Sequence, residues 1–317
     1  MISYAQNFED VMLARAFRGL AQGFYIDVGA MDPVTHSVTC HFYEQGWQGI
    51  NIEPAPRHFA RLAELRPRDI NLNLALGERE EVRDFFDVPE SGLSSLGDGP
   101  PAAADGASLL RVTVPGMRVT TLARVCAEHV GERTIDFLKI DVEGWERQVI
   151  AGGDWRRFRP RIVVVEATRP NSPEAAWAEW EPILLGNDFL FAWFDGLNRF
   201  YVRREDAALQ RHFAVPPNVF DDFVPWDVER LARERDDAAM EHARLSESHL
   251  RIVEKHARLN EEHGRTSRAL AQETATRMAR ERELEAVYRS HSWRLTAPLR
   301  WLAARLGRRG PGSQDGR

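Results

Sequence analysis

The sequence predicts an α/β fold: a mostly parallel sheet with helices on both faces, closed by an antiparallel edge hairpin and followed by a long C-terminal helix or coiled coil. Three observations lead there. Short apolar runs alternate with helical patterns from Gly23 to Leu185. Two aromatic runs, Phe189–Phe194 and Asn198–Val202, are joined through Asp195-Gly196, as a hairpin turn would join them. From Asp227 to Arg289 the chain carries no proline, one glycine and dense charge, which suits one uninterrupted helix.

The elements follow in order. Residues 1–22 read as a helical lead-in with Val11, Leu13 and Phe17 on an apolar face. Gly23 to Val28 is a buried strand, Gly29 a tight turn, and a helix around Ser37–Gln45 ends at Gly46. Gly49 to Ile52 is a second strand stopping at Glu53, Arg57–Leu65 a helix, and Ile70–Leu76 a third strand with strict alternation. Glu81–Val88 reads as an extra strand, and Ser91–Ser108, rich in Gly, Pro, Ala and Ser, as a long loop. Val119–Val130 is expected to be helical, Ile135–Asp141 a fourth strand, Gly144–Ala151 a helix, and Arg161–Val165 a fifth strand ending at Glu166. A helix over Glu174–Leu185 leads into the hairpin. The domain reading is 1–215 for the α/β domain, 216–226 for a linker, 227–292 for a coiled coil and 293–317 for a basic amphipathic tail.

Composition narrows the function. At 317 residues and 43% hydrophobic, the chain can bury a full-sized core and still carry an appendage. A net charge of −6 argues against a nucleic-acid-coating protein. Cys40 and Cys126 stand far apart in no C-x-x-C pattern, which excludes a cysteine zinc site and a disulfide scaffold and suits a reducing cytosol. No signal peptide or membrane-length apolar run is visible, so the expected location is cytoplasmic.

The turn Asp27-Val28-Gly29-Ala30 is where chemistry is expected. In an open α/β sheet, a nucleotide-like ligand sits beyond the carboxyl ends of the strands. Gly29 and Ala30 let a ligand approach the backbone, and Asp27 sets a carboxylate beside it. That carboxylate repels a pyrophosphate, and G-x-G-x-x-G is absent because Met31 and Val34 occupy the later glycine positions. S-adenosylmethionine, with a cationic ammonium, a cationic sulfonium and no phosphate, fits better. An Asp-x-Gly after a strand is also an ordinary turn, so the reading leans on further residues. Three acids supply them: Asp27, Glu53 and Asp141 each fall at a strand end in one crevice. Glu53 would accept hydrogen bonds from both ribose hydroxyls, and Asp27 would face the amino-acid moiety. Asp141 and Glu143 would polarise an acceptor hydroxyl, hold a divalent cation or cap the following helix. Asp141 is the first choice as base or metal ligand and Glu143 the second, with His36 ranked below both.

From Ser3 to Arg203 the chain resembles the FkbM-type S-adenosylmethionine-dependent methyltransferases, within the Rossmann-like class I methyltransferase fold. The matching segments are Ser-Tyr-Ala-Gln-Asn-Phe-Glu-Asp (3–10), Tyr-Ile-Asp-Val-Gly-Ala (25–30), Phe-Tyr-Glu-Gln-Gly-Trp-Gln-Gly-Ile-Asn-Ile-Glu-Pro (42–54), Gly-Leu-Ser-Ser-Leu (92–96) and Ile-Asp-Phe-Leu-Lys-Ile-Asp-Val-Glu-Gly-Trp-Glu (135–146). The resemblance implies O-methylation of a sugar or a secondary-metabolite hydroxyl. Residues 290–299 look like tails of bacterial glycosyltransferases and polysaccharide-assembly enzymes, which tilts the acceptor towards a glycan. Two other readings stay open. A nucleotide-sugar oxidoreductase or epimerase would use the same sheet but lacks its glycine fingerprint. A non-catalytic scaffold would keep the fold and use the coiled coil for assembly.

The appendage has its own pattern. Leu231, Ala238, Leu245, Ile252 and Leu259 recur every seven residues, as do Arg235, His242, His249, His256 and His263. With the first set at d and the second at a, this is a heptad seam that would carry a homodimer. The alternative is a solvated single helix laced with i,i+4 ion pairs. Trp293–Arg309 interleaves Trp293, Leu295, Leu299, Trp301, Leu302 and Leu306 with five arginines and no acid. Such a segment suits peripheral contact at the inner membrane face or an acidic partner, and equally a terminal helix packed on the coiled coil.

Overall fold

The computed structural model describes residues 1–88, 94, 96 and 112–306, so most of the expected loop Ser91–Ser108 and the end of the tail lie outside the described residues. The chain divides into two compact units, Met1–Arg233 and Glu234–Arg317.

The first unit is built on a mixed, mostly parallel sheet. Its strands are β2 (Phe24–Val28), β3 (Gln48–Ile52), β4 (Ile70–Leu72), β8 (Phe137–Ile140), β9 (Ile162–Glu166), β10 (Phe189–Phe194) and β11 (Asn198–Arg203). Their order is β10-β11-β9-β8-β2-β3-β4. The five from β9 to β4 run parallel, and β11 and β10 add the expected antiparallel hairpin edge. Strands such as Ile-Val-Val-Val-Glu in β9 are buried along their whole length, so both faces must be covered. Period-two alternation sorts the residues. Ile26, Val28, Leu138, Ile140, Val163 and Val165 face one core, with α4 (Leu122–His129) and α5 (Glu146–Ala151) against it. Tyr25, Phe137, Ile162 and Val164 face the other, with Met12 and Leu13 from α1 (Glu9–Ala16) and Phe42 from α2 (Cys40–Glu44). The chain leaves β2 for β3 on one side and later enters β8 on the other, so the strand order reverses between β2 and β8.

Several expected elements change. The lead-in is a two-residue strand, β1 (Ile2–Ser3), before α1. Asp10 accepts from Ser3 Oγ at 2.6 Å and Tyr4 N at 2.7 Å, drawing that segment back over the start of α1. The strand expected over Ile70–Leu76 breaks in two. β4 stays in the main sheet, and β5 (Ala75–Leu76) joins β6 (Glu81–Asp87) and β7 (Val112–Thr120) in a three-stranded sheet ordered β5-β7-β6. At the break, Asn73 Nδ2 donates to the carbonyls of Glu53 and Pro54. β7 claims Val119, where a helix was expected to begin; α4 starts later, with Thr121 Oγ1 accepting from Arg124 N at 3.1 Å. The Glu174–Leu185 helix is a 3₁₀ turn at Trp177–Glu179 followed by α6 (Glu181–Gly186). The stretch 216–226 carries a 3₁₀ turn, Val219–Asp221, and β12 (Val224–Pro225), which pairs with β1. Both cysteines are buried and free.

α7 (Trp226–Arg289) runs 64 residues without interruption. Within the second unit, i,i+4 pairs such as Glu247–Arg251 and Arg277–Glu281 line it, and Leu245, Ile252 and Leu259 are exposed. α8 (His291–Leu295) follows a Ser290 cap, and α9 (Ala297–Leu306) follows that. Among the described residues, no helix is long and apolar enough to cross a membrane.

Candidate functional site

The site is assembled where the strand order reverses, which is where an open α/β sheet leaves a crevice. Parallel register sets Asp27 of β2 beside Lys139 of β8, and alternation aims both away from the Ile26 and Leu138 side. Lys139 Nζ donates to the Gly29 carbonyl at 2.8 Å and lies 3.4 Å from both Asp27 Oδ1 and Asp141 Oδ2. Burial alone would lower the lysine's pKa, but attraction to Asp27 and then Asp141 outweighs it and raises the pKa. Asp27 is 1% exposed; its Oδ2 accepts from Thr39 Oγ1 at 3.0 Å, and its Oδ1 accepts no hydrogen bond among the described residues.

The turn after β2 follows from the neighbouring strand. Gly29 takes φ +76°, and its N–H and that of Ala30 donate to the Ile52 carbonyl. The nearest atom to a Cβ there would be the backbone oxygen of Asp141, so within the chain the glycine makes room for the exit of β8. Glu53, at the end of β3, accepts from Met31 N and Ala55 N, both at 2.7 Å. Burial raises its carboxyl to about 7 against the pull of those two amides.

The loop after β8 brings the remaining acids. Glu146, in the first turn of α5, reaches back so that Oε1 accepts from Val142 N and Gly144 N, both at 3.1 Å. That clamp holds Glu143 at φ 54° and Gly144 at φ 92°, and it turns Glu143 towards Asp141 and Glu166. Neither Asp141 nor Glu143 caps α5, whose N-cap residue is Trp145; Glu146 supplies the local bonds instead. One oxygen from each of Asp141, Glu143 and Glu166 lies within 4.8 Å of the others. Burial, then repulsion from Asp141 and Glu146, pushes Glu143 up to about 8. Burial and the charges of Asp141 and Glu143 push Glu166 up to about 11.

These groups surround one cavity of about 360 Å³. Asp27, Gly29, Ala30, Glu53, Asp141 and Glu143 all line it, so the residues singled out from the sequence converge, and His36 sits on its wall. Leu76, Phe85, Leu96 and Trp145 give it an apolar stretch, and Trp145 Nε1 is buried without a hydrogen-bond partner among the described residues. Gln6, Thr168, Asn171 and Ser172 give it a polar one. Sequence reading did not assign Lys139, Glu146 or Glu166. Lys139 and Glu146 stood inside a segment already noted, and Glu166 ended a predicted strand, so its position at the carboxyl edge was the available signal.

The family model described as Methyltransferase FkbM domain matches residues 27–191, from the first site acid to β10. No curated protein matches the chain.

Proposed function

Because the chain belongs to the FkbM methyltransferase domain family, we propose that it transfers the methyl group of S-adenosylmethionine to a hydroxyl of a sugar, glycan or related small-molecule acceptor. The observation that carries this reading is the cavity at the strand reversal, where Asp27, Glu53 and Asp141 arrive from three strand ends. The residues fit the donor. Asp27 Oδ1 is buried and accepts no hydrogen bond among the described residues, so it offers a carboxylate oxygen to the ammonium of the amino-acid end. Each Glu53 oxygen keeps a second lone pair for a ribose hydroxyl after accepting its backbone amide. Trp145 Nε1 and the apolar stretch suit a base.

S-adenosylmethionine supplies an electrophilic methyl on sulfur. Asp27 and Glu53 would hold it where an acceptor oxygen could take that methyl, the carbon–sulfur electron pair staying on sulfur in a neutral thioether. The hydroxyl proton must leave, and Asp141, partly open to the cavity, is the carboxylate assigned to take it, with Glu143 beside it. The fold mainly contributes positioning. Gln6, Asn171 and Ser172 suit the hydroxyls of a glycan, and bacterial polysaccharide biosynthesis is the setting we assign.

The second unit is assigned to assembly and location. Exposed Leu245, Ile252 and Leu259 at heptad spacing suit a second copy of this chain. Exposed Leu295, Leu299, Trp301 and Leu302, interleaved with arginines and no acid, suit an anionic membrane surface at the cytoplasmic face.

Isotope-labelled S-adenosylmethionine and a panel of lipid-linked glycans test the reaction by mass shift. One labelled methyl on a glycan is expected. Asp141→Asn should lower turnover by roughly two or more orders of magnitude while cofactor affinity holds. Undiminished turnover removes Asp141 as the base, and no methylation of any glycan removes the acceptor class.

A further inference from the structure

We propose that Asp141, Glu143 and Glu166 form a divalent-cation site on the cavity wall, suited to Mg²⁺ or Mn²⁺. Asp141 and Glu143 come from the loop after β8, and Glu166 ends β9. One oxygen of each lies within 4.8 Å of the other two, a spacing that one small cation can span. An acidic cluster on a surface would mean little, because water solvates it. Glu166 is different: it is 8% exposed, and its Oε2 is buried with no hydrogen-bond partner among the described residues. A buried carboxylate oxygen without a partner is costly, and protein structures rarely leave one so.

Among the described residues, no side chain meets that need. Lys139 lies between Asp27 and Asp141 and gives a hydrogen bond to the Gly29 carbonyl. Glu146 has turned its Oε1 to the backbone of the loop. A proton bridges two oxygens, whereas three carboxylates converge here, and all-oxygen donor sets of this kind select hard divalent cations. Three protein ligands leave open positions facing the cavity, where Thr168, Asn171 and Ser172 supply further oxygens or hold water. A cation there would orient an acceptor hydroxyl and make its proton easier to remove. That role, though not the site itself, rests on the methyl-transfer reading above.

Titration of the full chain with Mn²⁺, followed by loss of the free-ion electron paramagnetic resonance signal, tests the site without donor or acceptor. One Mn²⁺ bound per chain, displaced by Mg²⁺, is expected. Glu166→Gln and Glu143→Gln should each weaken it about tenfold or more, while Glu128→Gln, on the exposed side of α4, should not. Circular dichroism establishes that each variant is folded. If Glu166→Gln fails to fold, Glu143→Gln decides alone. No binding up to about 1 mM Mn²⁺, or unchanged affinity in Glu143→Gln, overturns the proposal. Calorimetry with S-adenosylmethionine in chelator separates the two readings. Donor binding without Mn²⁺ binding overturns only the cation site; Mn²⁺ binding without donor binding supports the cation site and overturns the methyl-donor reading.

Discussion

A Cβ placed on Gly29 would lie 1.8 Å from the backbone oxygen of Asp141. The turn after β2 and the exit of β8 are therefore packed so closely that the site's first acid and its candidate base share one geometry. Gly29→Ala should cost stability twice, once for φ +76° and once for pushing the two strand ends apart. Gly46→Ala is the matched control, since Gly46 has φ +90° and nothing within 4 Å of its Cβ position. Urea unfolding should show about 1–2 kcal/mol lost at Gly46 and about 2 kcal/mol more at Gly29. Equal losses would mean that the Asp141 contact relaxes freely.

Much of this frame was legible beforehand, for physical reasons. Strands buried on both faces and ending in acids announce a parallel sheet, and Asp27, Glu53 and Asp141 did meet in one cavity. What alternation could not show was where a strand changes partners. Ile70, Leu72, Leu74 and Leu76 keep one period, yet Asn73 breaks the run by bonding to the Glu53 and Pro54 carbonyls. Lys139 was hidden for another reason. A lysine inside an apolar run has no visible partner until register places Asp27 next to it. Sequence singled out Gly29 for the approach of a ligand, and the structure adds the Asp141 backbone as a second reason for a glycine there.

Glu9 sets a pH dependence. Burial, then repulsion from Asp195, raises its carboxyl from the ordinary 4.5 to about 8, although Asn7 N donates to it at 2.9 Å. A pKa raised on folding contributes stability that is full below about 4.5 and lost as pH rises through about 8. Glu9→Gln removes that titration and also disturbs the Asn198 Nδ2 bond to Oε1, so the variant starts lower at pH 5. Its curve should then gain on the unchanged chain by up to about 1.4 kcal/mol per pH unit towards pH 8. Unfolding free energies at pH 5, 6.5 and 8 make the comparison, and parallel curves would contradict it.

The second unit should self-associate. Leu245 and Ile252 are 61% and 63% exposed, and burying such a seam against a second copy is what a heptad pattern favours. Sedimentation of the full chain at micromolar concentration should give a dimer. Leu245→Asn with Ile252→Asn should give a monomer. A wild-type monomer would leave α7 as a solvated helix held by its ion pairs.

The central claim is that this cavity binds S-adenosylmethionine through strand-end acids, and calorimetric titration of the full chain with that donor tests it most directly. One molecule should bind per chain, NAD should not bind, and Asp27→Ala and Glu53→Ala, checked as folded, should each weaken binding by about 1.5–3 kcal/mol. No binding by the unchanged chain, or affinity preserved in both variants, would contradict it.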